Sequence, residues 1–317
     1  MSSKPLVGLL YNPAVPEVVD HAPELVEYIE VIPERLWHDF GDRGAVGGRF
    51  HRVKGAVESL QQCAGGRPIA AHGLGLSLPS AMPLDQALLE NIRASKEELD
   101  YHWYSEHLSV FVVPNGRLPN AQAGLGLPVA YDEEVLQLLK GKLEAVREAL
   151  GCELLLENPA VFTPVPGSEM SEPEFFNRLY AETGTGMLLD LHNLYVSYRN
   201  GGPDPHRYLT ELDPRCVWEL HFAGGDELGG FYTDSHSRPS PQPVWDLASE
   251  CTRRFEDVRA LVFEFHESYY ERIGLHGIVR ELERMQRLSE RLQAGLASIR
   301  PRAASASEHP NARVAVC

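Results

Sequence analysis

The chain has 317 residues, 43% hydrophobic and 23% charged, proportions of a globular protein able to bury a large core. Its formal net charge of −16 argues against a nucleic-acid binder, which needs a basic face to neutralise phosphates. No apolar stretch is long enough to span a bilayer, the start MSSKPLVGLLYN lacks a signal peptide's long apolar region, and the five scattered cysteines contain no CxxC. The expectation is a cytoplasmic protein with reduced thiols, no membrane partner and no thiolate zinc site.

Eight short apolar runs read as strands: LVGLLYN (6–12), VEYIEVIP (26–33), PIAAHGL (68–74), YHWYSEHLS (101–109), LLLENP (154–159), GMLLDLHNL (186–194), VWELHFAG (217–224) and RALVFEFH (259–266). Between them, apolar residues at three- and four-residue spacing predict helices over 48–63, 83–99, 131–150, 171–184, 241–255 and 268–296. The segment 171–184 begins with Ser and ends at Gly, as a capped helix does. Alternating strand and helix implies parallel pairing with right-handed crossovers. Eight strands favour an α/β fold closed into a (β/α)8 TIM barrel, expected here as one catalytic domain over 1–296 with a disordered tail at 297–317. The Gly/Pro-rich segment 114–128 reads as a long loop on the active-site side, a candidate wall for an extended peptide groove.

From the third run onward each strand ends in His, Asp, Glu or Asn. In a barrel all strand C-termini meet at one face, where active sites sit. His72 precedes GLGLSLPS and reads either as a structural His or as a ligand beside a turn. Glu106 and His107 are adjacent, so on a strand they face opposite ways and only one reaches the barrel mouth. Glu157 closes a leucine run, where burial demands a cation, a salt bridge or hydrogen bonds. Asp190, His192 and Asn193 form D-x-H-N, either ligands or caps of a following helix. His221 ends WELH, Asp234 and His236 form an Asp-x-His, and Glu264 ends LVFE with His266 close behind. So many imidazoles and carboxylates exceed the three or four ligands of one catalytic ion and point to a multinuclear centre of Zn, Fe or Mn.

The chain resembles a known family. The ordered segments EVIPERL (30–36), HGLGLSL (72–78), SEHLS (105–109), LLENP (155–159), LLDLHNLYVS (188–197), ELHFAG (219–224), DSHSRP (234–239), PVWDL (243–247) and FEFHES (263–268) are similar to the multinuclear non-haem iron-dependent oxidative enzymes (MNIO), including the methanobactin-biosynthesis B-type and thiaglutamate-pathway enzymes. The resemblance spans about residues 6 to 290. It implies a barrel of the xylose-isomerase-like, endonuclease-IV-like type. It also implies two to three iron ions (Fe2+/Fe3+), O2 as cosubstrate, and oxidative modification of a ribosomally made precursor peptide, commonly at cysteine, with a separate partner protein that grips the leader peptide.

Carried over residue by residue, the resemblance implies His72, His107, Glu157, Asp190, Asn193, His221, Asp234, His236 and Glu264 as metal ligands, with Asp234, His236 and Asn193 as the catalytic set. Asn193 stands where the related nuclease-type barrels have His, so one metal position has a weaker, neutral donor. Gly225 stands where some members carry His, and Phe265–His266 where the family often has Trp-Asp. The alternative reading is a divalent-metal hydrolase or sugar isomerase on the same barrel.

Overall fold

All eight apolar runs form strands, because each supplies residues for both faces of a sheet buried on both sides. In this computed structural model, which describes residues 4–41, 48–112, 122–163 and 165–299, they are β1 (Leu6–Leu10), β2 (Tyr28–Val31), β3 (Ile69–Gly73), β4 (Trp103–His107), β5 (Glu153–Glu157), β6 (Gly186–Asp190), β7 (Val217–Phe222) and β8 (Ala260–Phe263). Every strand pairs in parallel with its sequence neighbours, and β8 returns to β1, closing the barrel. One irregularity interrupts the register: Met187 pairs with Val217 but Leu188 with Glu219, so Trp218 is extra in β7.

The helices are α1 (Val15–His21), α2 (Ala56–Ala64), α3 (Gln86–Leu99), α4 (Glu133–Leu150), α5 (Glu172–Thr183), α6 (Leu191–Arg199), α7 (Pro205–Glu211), α8 (Gln242–Arg254), α9 (Tyr270–Ile273) and α10 (Leu275–Ile299). Several start as their sequences ask: Asp85, Asp132 and Ser171 each accept a first-turn N–H, from Leu88, Val135 and Glu174. The helix expected over 48–63 begins only at Ala56, because Phe50–Arg52 pairs antiparallel with Trp37–Asp39. The one expected over 268–296 is split at Gly274, which lies outside the helical region at φ +72°. Three helices, α1, α6 and α7, were not anticipated. Residues 114–121 of the expected loop and 300–317 of the expected tail lie outside the described residues; Gln122–Leu127 pairs antiparallel with Val110–Val112. Among the described residues no helix is long and apolar enough to cross a membrane.

The apolar side chains fall into two groups. A large one, including Val7, Leu9, Ile29, Leu154, Leu156, Leu189, Leu220, Leu261 and Phe263, lies between the strands and the helices. A small one of Leu10, Tyr28, Ile32, Ala70, Ala260 and Val262 fills part of the barrel axis. The positions left inside the barrel are therefore polar. Glu30, His72, Ser105, Glu157, Asp190, Glu219, His221 and Glu264 are all 3% exposed or less. Burying so many polar groups is costly unless they are paired or hold a cation.

Candidate metal centre

The strand period places Trp103, Ser105 and His107 on the inner face of β4, while Tyr104 and Glu106 point outward. Glu106 is buried behind the strand, accepting from the Tyr104 hydroxyl (2.6 Å) and the Leu76 N–H (3.0 Å). Glu34 does the same work beside it, accepting from the N–H groups of Leu74 (3.1 Å) and Gly75 (2.8 Å). These two carboxylates fix the turn that follows His72. They also explain its first glycine: a Cβ at Gly73 would lie 1.9 Å from the Tyr104 hydroxyl and 2.3 Å from Glu106 Oε2.

At the barrel mouth three groups of donors converge. In the first, His72 Nε2 lies 3.0 Å from His107 Nε2 and 3.1 Å from Glu157 Oε2, which is 2.5 Å from His107 Nδ1. Ser105 donates to the Ala71 carbonyl (3.3 Å), so its oxygen accepts from the Nδ1–H of His72 at 2.8 Å and leaves Nε2 as a lone-pair donor facing the mouth. In the second group, Glu157, Asp190 and His221 bring donor atoms within 4.8 Å of one another, and Glu264 Oε1 is 3.2 Å from His221 Nδ1. The third gathers Asp234 and His236, whose Nε2 lies 2.9 Å from Asp234 Oδ1 and 3.5 Å from Glu264 Oε2. Glu157 joins the first two groups and Glu264 the last two, so the three are neighbours.

His236 adopts φ +50°, a left-handed conformation that non-glycine residues seldom take and that costs about 1–3 kcal/mol. Its N-terminal neighbour segment is pinned against the site by close backbone approach. Gly225 leaves no room for a side chain, since a Cβ there would lie 1.8 Å from the Thr233 carbonyl oxygen. The His that the resemblance leads one to expect at this position does not fit this backbone.

The D-x-H-N segment caps a helix and stands beside the donor groups of the mouth. Asp190 is the last residue of β6 and also caps α6, its Oδ1 accepting from the Asn193 N–H at 2.8 Å. Its Oδ2 is buried with no partner. Asn158 accepts from the Asp190 N–H (2.8 Å) and donates to the Asp190 carbonyl (3.0 Å), a side-chain clamp between β5 and β6. Asn193 Nδ2 donates to Glu157 Oε1 (3.1 Å) and the Asn158 carbonyl (3.1 Å), while its Oδ1 is buried and unpartnered. His192, outside the ligand set the resemblance implies, sits with Nδ1 2.9 Å from Asp234 Oδ1 and is wholly buried.

Sequence reasoning missed two buried carboxylates beneath the centre, Glu30 and Glu219. Glu219 shares a strand face with His221 two residues on, and Glu30 interrupts an apolar run, so both had a readable signal in the strand period. His266, whose place the sequence leaves open, is half-exposed at the rim; its Nδ1 accepts from the Ser268 N–H at 3.2 Å and it stands apart from the three donor groups.

The electrostatics test whether cations fit here. Burial raises the Asp190 pKa well above the ordinary carboxylate range, reinforced by the like charges of Glu157, Asp234 and Glu264. An unpartnered carboxylate oxygen among three other carboxylates is a poor arrangement for the protein alone and a good one for a divalent ion. The donor set, imidazole nitrogen and carboxylate oxygen without thiolate, suits iron, zinc or manganese. Burial alone would lower the His107 pKa, but the Glu157 carboxylate pushes it up to about 9; His236 rises to about 10 against the same burial, through Asp234 and Glu264.

A pH prediction follows for the metal-free protein. These two imidazolium–carboxylate pairs stabilise the fold fully below the ordinary His pKa, and that contribution disappears as pH rises through about 9 to 10. Chelator-treated protein is expected to melt at lower temperature at pH 10 than at pH 7, with the difference reduced when His107 and His236 are both replaced by Gln. An unchanged pH difference in the double variant would contradict the pairing.

The donors open into a cavity of about 450 Å³. Leu10, Ile32, Leu74, Phe111, Phe162 and Phe265 make its walls largely apolar, and Gly126 contributes from the segment after residue 121. Among its described lining residues Arg35 is the only arginine or lysine, and it faces Glu267 at 3.5 Å.

The sequence profile of the family described as "RiPP precursor modification enzyme MbnB/TglH/ChrH" matches residues 7–290. A UPF0276 protein of Anaeromyxobacter sp. (strain Fw109-5) is 32% identical over 237 residues, covering 75% of this chain and 77% of the relative. A UPF0276 protein of Rhizorhabdus wittichii is 31% identical, covering 82% and 87%. Among solved structures, endonuclease IV from Thermus thermophilus superposes with a TM-score of 0.52 at 17% identity, covering 90% of this chain and 99% of that one. The IOLI protein with a bound zinc atom gives 0.53 at 13% identity, covering 92% and 98%. At these identities the two structures establish the TIM-barrel fold alone.

Proposed function

This chain belongs to the MbnB/TglH/ChrH family of RiPP precursor modification enzymes, and from that premise we propose that it is a multinuclear iron enzyme that uses O2 to oxidise a ribosomally synthesised precursor peptide at a cysteine. The observation that carries the reading is the convergence of nine expected donor residues, from six of the eight strands and the segments after them, on one buried mouth. His72, His107 and Glu157 would hold one ion; Glu157, Asp190, His221 and Glu264 a second; Asp234 and His236 a third, with His192 and Asn193 on either side. Bound iron supplies the redox chemistry with O2 that no side chain in the cavity can supply.

The chain's own residues do the remaining work. Ser105 fixes the His72 tautomer so that Nε2 presents its lone pair to the mouth. Asn193 and Asn158 hold Glu157 and Asp190 in place through side-chain hydrogen bonds. Leu10, Leu74, Phe111, Phe162 and Phe265 exclude water around the reacting side chain. Such a wall suits the side chain of a peptide. A sugar would ask for many hydrogen-bonding groups and a nucleic acid for cations, and Arg35 is already opposite Glu267. This lining favours the peptide reading over a sugar isomerase, a hydrolase or a nuclease. We place the enzyme in the cytoplasm, with leader-peptide recognition supplied by a separate partner protein.

The test is conversion of a precursor peptide by the full chain together with its partner protein, loaded with Fe2+ and exposed to air. The expected result is an O2-dependent mass change that disappears when the peptide's cysteine is replaced by Ala. A mass change that proceeds equally under nitrogen, or with zinc in place of iron, would contradict the oxidase reading.

A further inference from the structure

We propose that Glu30 is a positioning residue for His221: it receives the imidazole N–H from beneath the centre and sets how strongly that imidazole binds metal. This inference rests on the metal-centre reading above and extends it to a residue outside the expected ligand set.

His221 is fully buried on β7 between two carboxylates on opposite edges of its ring. Nδ1 lies 3.2 Å from Glu264 Oε1, on the side shared with the centre. Nε2 lies 3.1 Å from Glu30 Oε2, on β2 across the barrel interior. An imidazole that binds metal through one nitrogen carries a proton on the other, and that N–H needs an acceptor. Glu30 is 0% exposed, and neither of its oxygens closes a well-aligned hydrogen bond. A buried carboxylate with no committed donor is costly unless a donor or a cation faces it. The group facing it is His221.

The other buried carboxylate nearby is already committed. Glu219 Oε1 accepts from the Tyr28 hydroxyl at 2.7 Å and Oε2 from Trp103 Nε1 at 2.8 Å, and Oε1 is 4.0 Å from His221 Nε2. The two glutamates therefore divide the work. Glu219 ties the lower barrel together through Tyr28 and Trp103, and Glu30 is left to His221. A charged acceptor makes the imidazole a stronger electron donor than a neutral one would, which tightens metal binding.

The experiment compares wild type, Glu30→Gln and Glu219→Gln as full-length, metal-stripped protein. Zn2+ affinity is measured by competition with a chromophoric chelator, and the absorption spectrum is recorded after loading with Co2+. Glu30→Gln keeps size and an acceptor oxygen but removes the charge. It is expected to weaken Zn2+ binding about 10- to 100-fold, the usual effect of losing an outer partner of a metal-bound His, and to shift the Co2+ spectrum. Glu219→Gln is expected to lower the melting temperature while leaving the spectrum in place. Should Glu30→Gln fail to fold, Glu30→Asp, which withdraws the charge by one methylene, must weaken Zn2+ binding in the same direction. A folded Glu30 variant with wild-type affinity and a wild-type spectrum overturns this inference and leaves the metal centre standing. A wild-type protein that binds neither Zn2+ nor Co2+ overturns both.

Discussion

Replacing Glu157 by Gln is expected to strip the protein of most of its metal and to abolish peptide oxidation. One oxygen of this carboxylate sits within 2.5 Å of His107 Nδ1 and 3.1 Å of His72 Nε2. The same side chain also brings a donor within 4.8 Å of those of Asp190 and His221. It is the member common to the first and second donor groups, so its loss removes a ligand from two ions at once. The affinity loss should exceed the roughly 10- to 100-fold that follows removal of an outer partner. The fold should survive in the metal-free state. Gln keeps the volume and an acceptor for the Asn193 amide, although the charge that pairs His107 is gone and some stability at neutral pH goes with it. Elemental analysis together with circular dichroism checks this; a variant that retains the wild-type metal content would remove Glu157 from the centre.

The second large effect is expected at the Asp-x-His. Asp234→Ala and His236→Ala should each lose about one metal equivalent rather than the whole set, because the first donor group is built without them. Activity should fall to background in both. They should differ in stability. Asp234→Ala leaves two imidazoles, His192 and His236, without their shared acceptor, and should destabilise the metal-free protein. His236→Gly relieves a left-handed backbone position, so it should be more stable than His236→Ala by about 1–2 kcal/mol. Metal counting and thermal melts separate the cases. Loss of every ion from Asp234→Ala would show that the third group nucleates the centre instead of completing it.

The barrel was legible because each strand is a short apolar run with its own stop. The leucines of LLLENP and the valine and phenylalanine of ALVFEF pack outward against helices and inward on the axis, leaving no other use for them. The buried donor residues of the mouth were legible for a related reason: a Glu or His that ends such a run must be buried, and burial has to be compensated. What escaped notice lay where two patterns overlap. The run GMLLDLHNL ends as a strand at Asp190 and begins α6 at Leu191, so a helix was hidden in what read as strand and loop. That also blurred which of His192 and Asn193 faces the mouth. Adjacent residues in a first helical turn diverge by about 100°, and only the geometry shows His192 on Asp234 and Asn193 on Glu157. The seven-residue helices α1 and α7 are too short to display a period. Glu30 and Glu219 sit in mid-strand, where alternation puts them inside the barrel, a signal that lies away from the polar strand ends.

The measurement that tests the central claim most directly is metal analysis of full-length protein purified without oxygen. The account predicts iron at two to three equivalents per chain, reduced to background by Glu157→Gln. Zinc or manganese at stoichiometric level with iron absent would contradict it and return the barrel to hydrolytic or isomerase chemistry.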